Sequence, residues 1–136
     1  MLGDNRKRLI LIEDHSLVRQ GLERLLNAGN EFVVCDETGD AATGLELTRE
    51  LKPDGVVIDV NLPGGIDGIE LARQLRDELP AVVVVILSAH DDPQYVRRAA
   101  EAGAMAYVRK TDPIDNLKLS LRNAFKGKQT FPPELT

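Results

Sequence analysis

The chain has 136 residues, 43% of them hydrophobic and 29% charged, with a formal net charge of -5. That is enough apolar material for one domain with a proper core and too much for a disordered segment. The acidic balance excludes non-specific attraction to nucleic acid, the single Cys35 excludes an intrachain disulfide, and no signal-peptide pattern or membrane-length apolar run is present, so a cytoplasmic location is expected.

Short apolar runs alternate with amphipathic stretches along the chain. Leu9–Ile12 reads as a first strand, and Ser16 is expected to cap a helix with Val18, Leu22, Leu25 and Leu26 on one apolar face. Phe32–Cys35 reads as the second strand. Asp40 then caps a helix carrying Leu45, Leu47 and Leu51, which stops before Pro53. Val56–Asp59 is the third strand, followed by a turn at Pro63–Gly65 and a helix over Ile69, Ala72 and Leu75 that ends before Pro80.

Val82–Leu87 is the most hydrophobic segment and should be buried on both faces as a central or near-central strand. Asp92-Pro93 opens a fourth helix ending at Gly103. Met105–Val108 is the fifth strand, and Asp112-Pro113 repeats the start signal for a fifth helix with Ile114, Leu117, Leu121 and Ala124 as its core stripe. Five βα units with right-handed crossovers make an α/β, doubly wound, three-layer sandwich. Residues 1–127 are expected to form this domain. The tail from Lys128, with Pro132-Pro133, lacks periodicity and reads as the start of a linker.

The chemistry gathers where the strands end. Glu13-Asp14 follows the first strand, Asp59 ends the third, Ser88 follows the fourth and Lys110 lies just past the fifth. Open α/β sheets bind ligands beyond the carboxyl ends of their strands, and the flavodoxin-like order 2-1-3-4-5 makes the first and third strands neighbours. Three clustered carboxylates repel one another, and a hard cation such as Mg²⁺, which takes carboxylates, waters and phosphate oxygens, relieves that repulsion. Lys110 adds a flexible positive charge and Ser88 a hydroxyl donor for a phosphate. A carboxylate in such a pocket can itself be the nucleophile of an in-line phosphoryl transfer.

With these residues in this order, the stretch from Arg8 to about Lys126 resembles the receiver domain of two-component response regulators. The matching elements are Glu13-Asp14, Asp59 within Val-Val-Ile-Asp-Val-Asn-Leu-Pro-Gly, Ser88-Ala89, and Tyr107-Val-Arg-Lys110. The resemblance implies that Asp59 accepts a phosphoryl group from a phosphohistidine on a sensor histidine kinase. It implies that Asp14, Asp59 and the Asn61 carbonyl ligate Mg²⁺, with Glu13 acting through water. Ser88 and Lys110 would hold the phosphoryl oxygens, and Tyr107 would be the aromatic switch that turns inward with Ser88. Asn61 and His90, each two residues past a site residue, occupy the positions that tune phosphate lifetime in that family.

Two departures from the family pattern stand out. A glycine usually lies four residues after the loop proline, whereas Gly68 lies five after Pro63, so one residue is inserted beside Asp59. Lys110 is followed by Thr111 instead of proline. Lys-Thr-Asp-Pro and Asp14-His-Ser-Leu-Val-Arg-Gln-Gly-Leu resemble the LuxR-type class, in which a helix-turn-helix DNA-binding domain follows a linker much like residues 127–135. The expected partners are therefore a sensor kinase, a second copy on phosphorylation through a surface that includes Leu119, and DNA only through an output domain beyond this chain. A single-domain regulator is the alternative.

Competing readings use the same fold differently. A small aspartyl-nucleophile phosphatase would need a second acid two residues after Asp59, where Asn61 stands. A flavin module would need a hydroxyl- and glycine-rich phosphate loop where this chain has Glu13-Asp14-His15, and no nucleotide P-loop is present. The resemblance thus implies a protein that acts on no substrate but itself, through its own phosphorylation and dephosphorylation. A receiver-like interaction module that takes no phosphate is the remaining rival.

Overall fold

The computed structural model describes residues 5–90 and 92–132. Its elements follow the expected alternation: β1 (Lys7–Ile12), α1 (Ser16–Asn27), β2 (Phe32–Thr38), α2 (Ala41–Leu51), β3 (Gly55–Asp59), α3 (Gly68–Glu78), β4 (Val83–Ser88), α4 (Pro93–Glu101), β5 (Ala106–Arg109) and α5 (Ile114–Phe125). The five strands are parallel in the order β2-β1-β3-β4-β5. This is the flavodoxin-like sandwich read from the apolar runs.

Alternation along each strand divides the core into two layers. Ile10, Ile12, Val56, Ile58, Val84, Ile86 and Tyr107 face the side covered by α2, α3 and α4. Leu9, Leu11, Val57, Val85, Leu87, Ala106 and Val108 face α1 and α5. Burying each large aliphatic side chain contributes about 1.5–3 kcal/mol, which is why β1, β3 and β4 read as nearly continuous apolar runs.

Helix boundaries follow local chemistry in most places. The Asp40, Asp67 and Asp92 side chains accept from Thr43, Glu70 and Gln94 N–H groups and so cap α2, α3 and α4. Pro93 occupies the first turn of α4, where its missing N–H costs nothing. Gly103 and Gly127 turn the chain after α4 and α5 with φ of 96° and 80°, a conformation natural to glycine.

Three local expectations are corrected. Ser16 is the first helical residue of α1 instead of its cap; His15 holds the cap position without a side-chain bond, because its ring is drawn to Glu13. Pro113, not Asp112, stands at the cap of α5, and again no side chain bonds the first turn. The expected apolar face of α1 is only partly core: Leu26 is buried, Leu22 is half-buried, but Val18 and Leu25 are 40% and 45% exposed. Helix α1 packs on β1 and β2 beside α5, and among the described residues no further element covers its outer flank.

The segment after α5 does not leave the domain at once. The Thr130 N–H donates to the Met105 carbonyl (2.9 Å) and the Tyr107 N–H donates to the Thr130 carbonyl (3.1 Å), forming a parallel bridge on the outer edge of β5. Phe131 packs on the α4 side of the core. Residues 133–136 of the expected linker lie outside the described residues. Among the described residues, no helix is long and apolar enough to cross a membrane.

Candidate functional site

Strand register brings the expected residues to one edge. Ile12 pairs with Ile58, Asp59 with Leu87, and Ser88 with Arg109, so the ends of β1, β3, β4 and β5 are level. Glu13 and Asp59 are then 0% and 1% exposed. Two buried carboxylates side by side need a cation, and Lys110 supplies one: its Nζ lies 2.7 Å from Glu13 Oε1 and 2.9 Å from Asp59 Oδ2. The Lys110 backbone N–H donates to the Ser88 carbonyl (2.8 Å), which fixes where the side chain starts.

The titration of this cluster follows from burial and charge. Burial, reinforced by the Glu13 carboxylate, pushes Asp59 up to about 6 despite its bonds to Lys110 and the Asn61 N–H. Burial acts in the same sense on Glu13, but Lys110 and the His15 N–H outweigh it and hold Glu13 below its ordinary value. Lys110 is desolvated too, yet its hydrogen bonds to Glu13 and Asp59 raise it, so it stays charged. One positive charge therefore serves two acids, and Asp59 is the one left short.

That shortage is what a divalent cation would fill. Donor atoms of Glu13, Asp14, His15 and Asp59 all lie within 4.8 Å of one another. Three of the four are hard carboxylate oxygens, the set suited to Mg²⁺. Asp14 is the outermost acid, its Oδ1 3.3 Å from His15 Nδ1, whose ring also approaches Glu13 Oε2 at 3.1 Å. His15 at the pocket was not foreseen; its position directly after the acid pair was the available signal.

The mouth of the pocket is spanned by a polar chain. Asn61 donates its backbone N–H to Asp59 Oδ1 (3.1 Å), and its side-chain nitrogen lies 2.9 Å from His90 Nε2. The His90 ring stacks on Tyr95 with centroids 4.5 Å apart. The His90 N–H donates to the Ser88 hydroxyl oxygen (2.9 Å), and the buried Tyr107 hydroxyl donates to the His90 carbonyl (2.8 Å). Ser88 and Tyr107, singled out from sequence, thus meet through His90 instead of directly. The stack on Tyr95 had no sequence signal.

Gly68 explains the displaced loop glycine. A Cβ there would sit 2.0 Å from the Asp59 carbonyl oxygen, and the Gly68 N–H donates to the Val60 carbonyl (2.8 Å). The chain must return against the end of β3 to start α3, and only glycine fits. The inserted residue is accommodated outside this contact, where Gly64 adopts a φ of 99° and neither Gly64 nor Gly65 has an atom near the place of a Cβ.

Residues 9–122 match the response regulator receiver domain family. The chain belongs to that family. Over 96% of its length it superposes on 92% of a LuxR-family two-component response regulator from Aurantimonas sp., with a TM-score of 0.89 and 33% identity. It also superposes, at a TM-score of 0.86 and 30% identity, on the signal receiver domain of NarL from Mycobacterium tuberculosis, covering 91% of this chain and 99% of that one. Among curated proteins it is 32% identical over 135 residues to the transcriptional regulatory protein DegU of Brevibacillus brevis, matching 99% of this chain and 57% of that protein. This receiver therefore spans little more than half the length of such a relative. Receiver domains are signalling proteins that bind Mg²⁺ at an acidic pocket, and Glu13, Asp14 and Asp59 form a cluster of acidic residues here.

Proposed function

We propose that this receiver is a switch that takes a phosphoryl group onto Asp59 from a phosphohistidine of a sensor histidine kinase. The observation that carries the reading is Asp59 itself: buried, lifted toward neutrality, and held beside Glu13 by a single lysine. Such a pocket costs stability as a mere structural element, since replacing buried ion pairs by apolar residues is often neutral or stabilising.

Asp14, Asp59 and the Asn61 carbonyl would hold the Mg²⁺, with Glu13 behind them through water. When bound, the ion supplies positive charge to the transferring phosphoryl oxygens. The protein's own part is orientation. The Asn61 N–H on Oδ1 and the Lys110 ammonium on Oδ2 fix the plane of the Asp59 carboxylate. An Asp59 oxygen bonds to phosphorus as the phosphorus–nitrogen bond of the donor breaks, and the imidazole leaves. Lys110, on a flexible stem, follows the new negative charge onto a phosphoryl oxygen, and the Ser88 hydroxyl donates a hydrogen bond to another. Ser88 already touches His90, and His90 holds Tyr107, so the phosphoryl group biases the Tyr107 side chain toward its inward position.

The LuxR-family relatives support a transcriptional output reached through the segment after α5, with dimerisation on phosphorylation and a cytoplasmic location as parts of the same reading. The test is intact mass after incubation with acetyl phosphate, with Mg²⁺ or with chelator. A Mg²⁺-dependent, base-labile gain of one phosphoryl group that is absent in Asp59→Asn is expected. No gain from acetyl phosphate or from a phosphorylated histidine kinase would overturn the reading.

A further inference from the structure

The tail beyond α5 is built into the edge of the sheet at the residue that switches. Gly127 turns the chain back, the Lys128 N–H donates to the Asn123 carbonyl (2.9 Å), and the next residues run parallel to β5. Thr130 is the bridge partner of Ala106. In a parallel ladder, neighbours one step on share a face at the inter-strand spacing of about 4.8 Å. Phe131 therefore stands beside Tyr107 on the α4 face, and both belong to the same apolar layer. They also share the lining of a cleft of about 300 Å³ with Asp112, Asn116 and Leu119.

This placement has a steric consequence. Tyr107 is 2% exposed and is held inward by its hydroxyl bond to the His90 carbonyl. A ring rotated outward from β5 must enter the space next to the sheet edge, which Phe131 occupies. We propose that residues 128–132 form a strap whose docking is mutually exclusive with the outward Tyr107, so that strap and acid pocket are coupled through this one side chain. The proposal rests on the receiver reading of the pocket. Whatever stabilises the inward ring tightens the strap, and by linkage a docked strap raises the affinity of the pocket for a phosphoryl group. The strap thereby converts a rotamer change into the position of the chain where it leaves the domain.

A passive role is the contrary case, since edge strands are commonly covered to prevent pairing with other chains. Amide hydrogen exchange read residue by residue by NMR separates the two. With Mg²⁺ and beryllofluoride as the phosphoryl mimic, and bound fluoride verified by its own resonance, exchange at the Thr130 and Tyr107 N–H groups should slow by about tenfold. In Phe131→Ala that gain should fall to less than about twofold and beryllofluoride should bind about fivefold more weakly, with the exchange of buried α3 amides unchanged as the sign of an intact fold. Bound beryllofluoride with no change at Thr130, or an equal change in Phe131→Ala, overturns the coupling. A second arm needs no mimic: Tyr107→Phe removes the bond to His90, and Thr130 exchange in the free protein should rise. Unchanged exchange there refutes the strap even if the pocket never takes beryllofluoride, a result that would instead count against the receiver chemistry.

Discussion

Asp59→Asn should make the metal-free protein more stable at neutral pH. Asparagine copies the size of the neutral carboxyl group, keeps an oxygen for the Asn61 N–H, and removes a charge that burial and Glu13 both oppose. The folded protein holds Asp59 at about 6, against an ordinary aspartate value near 3.9. Each pKa unit is about 1.4 kcal/mol, so the charged form costs the native state at most about 3 kcal/mol above pH 7, and about 1–3 once relaxation is allowed. The sign follows from proton uptake. Between roughly pH 4 and pH 6 the folded state binds more protons at this site than the unfolded chain, so wild-type stability from this group falls as pH rises through that window. The variant lacks that fall. Urea unfolding in chelator from pH 4 to pH 8 should show the two proteins converging near pH 4 and separating to a constant gap above pH 7, the variant the more stable. Saturating Mg²⁺ should close the gap from the wild-type side, since ligand at 100 times its Kd adds about 2.7 kcal/mol. A variant no more stable than wild type at pH 7.5 in chelator would refute the account of a charge-starved Asp59.

Two further substitutions probe the supports of the site. Lys110→Met leaves Glu13 and Asp59 buried together without their cation, and removing one member of a buried ion pair costs about 3–5 kcal/mol. The loss should be largest at pH 7.5 and smaller at pH 5, where Asp59 takes up a proton; equal losses at both pH values would show that the lysine acts by packing alone. Gly68→Ala drives a Cβ into the Asp59 carbonyl, backbone that cannot yield locally, and should destabilise by about 1–3 kcal/mol in thermal melts. Gly44→Ala meets the Ile12 side chain, closest at its terminal Cδ1, instead of backbone, and should cost clearly less, so similar losses in the two variants would rule out a special role for the return of the chain at Gly68.

The apolar runs and their punctuation determined the fold. Ile10, Val57 and Ile86 could only be buried as strands flanked by amphipathic helices, and right-handed crossovers leave few ways to order them. The acids, Ser88 and Lys110 were legible for the same reason: they interrupt apolar runs at the strand ends, and parallel strands put all such ends on one edge. Faces and caps were less legible. Periodicity marks the apolar side of α1 but does not say how much of it another layer covers, and Val18 and Leu25 on that side remain 40% and 45% exposed. Ser16 and Asp112 have the chemistry of caps but lost the position to His15 and Pro113.

What only tertiary structure decided depends on contacts between residues far apart in the chain. Lys110 reaches Asp59 across 51 residues, and Asn61 reaches His90 across 29. No local pattern encodes how one ammonium is shared between two buried carboxylates, or that the proton affinity of Asp59 rises while that of Glu13 falls. The tail is the same case. Residues 128–132 carry no strand periodicity, because their pairing is made by backbone groups that every sequence possesses, and only the open edge of β5 selects them. Residue types and spacing determined which groups meet; the folded sheet decided how close they stand, and so which charge is left unsatisfied.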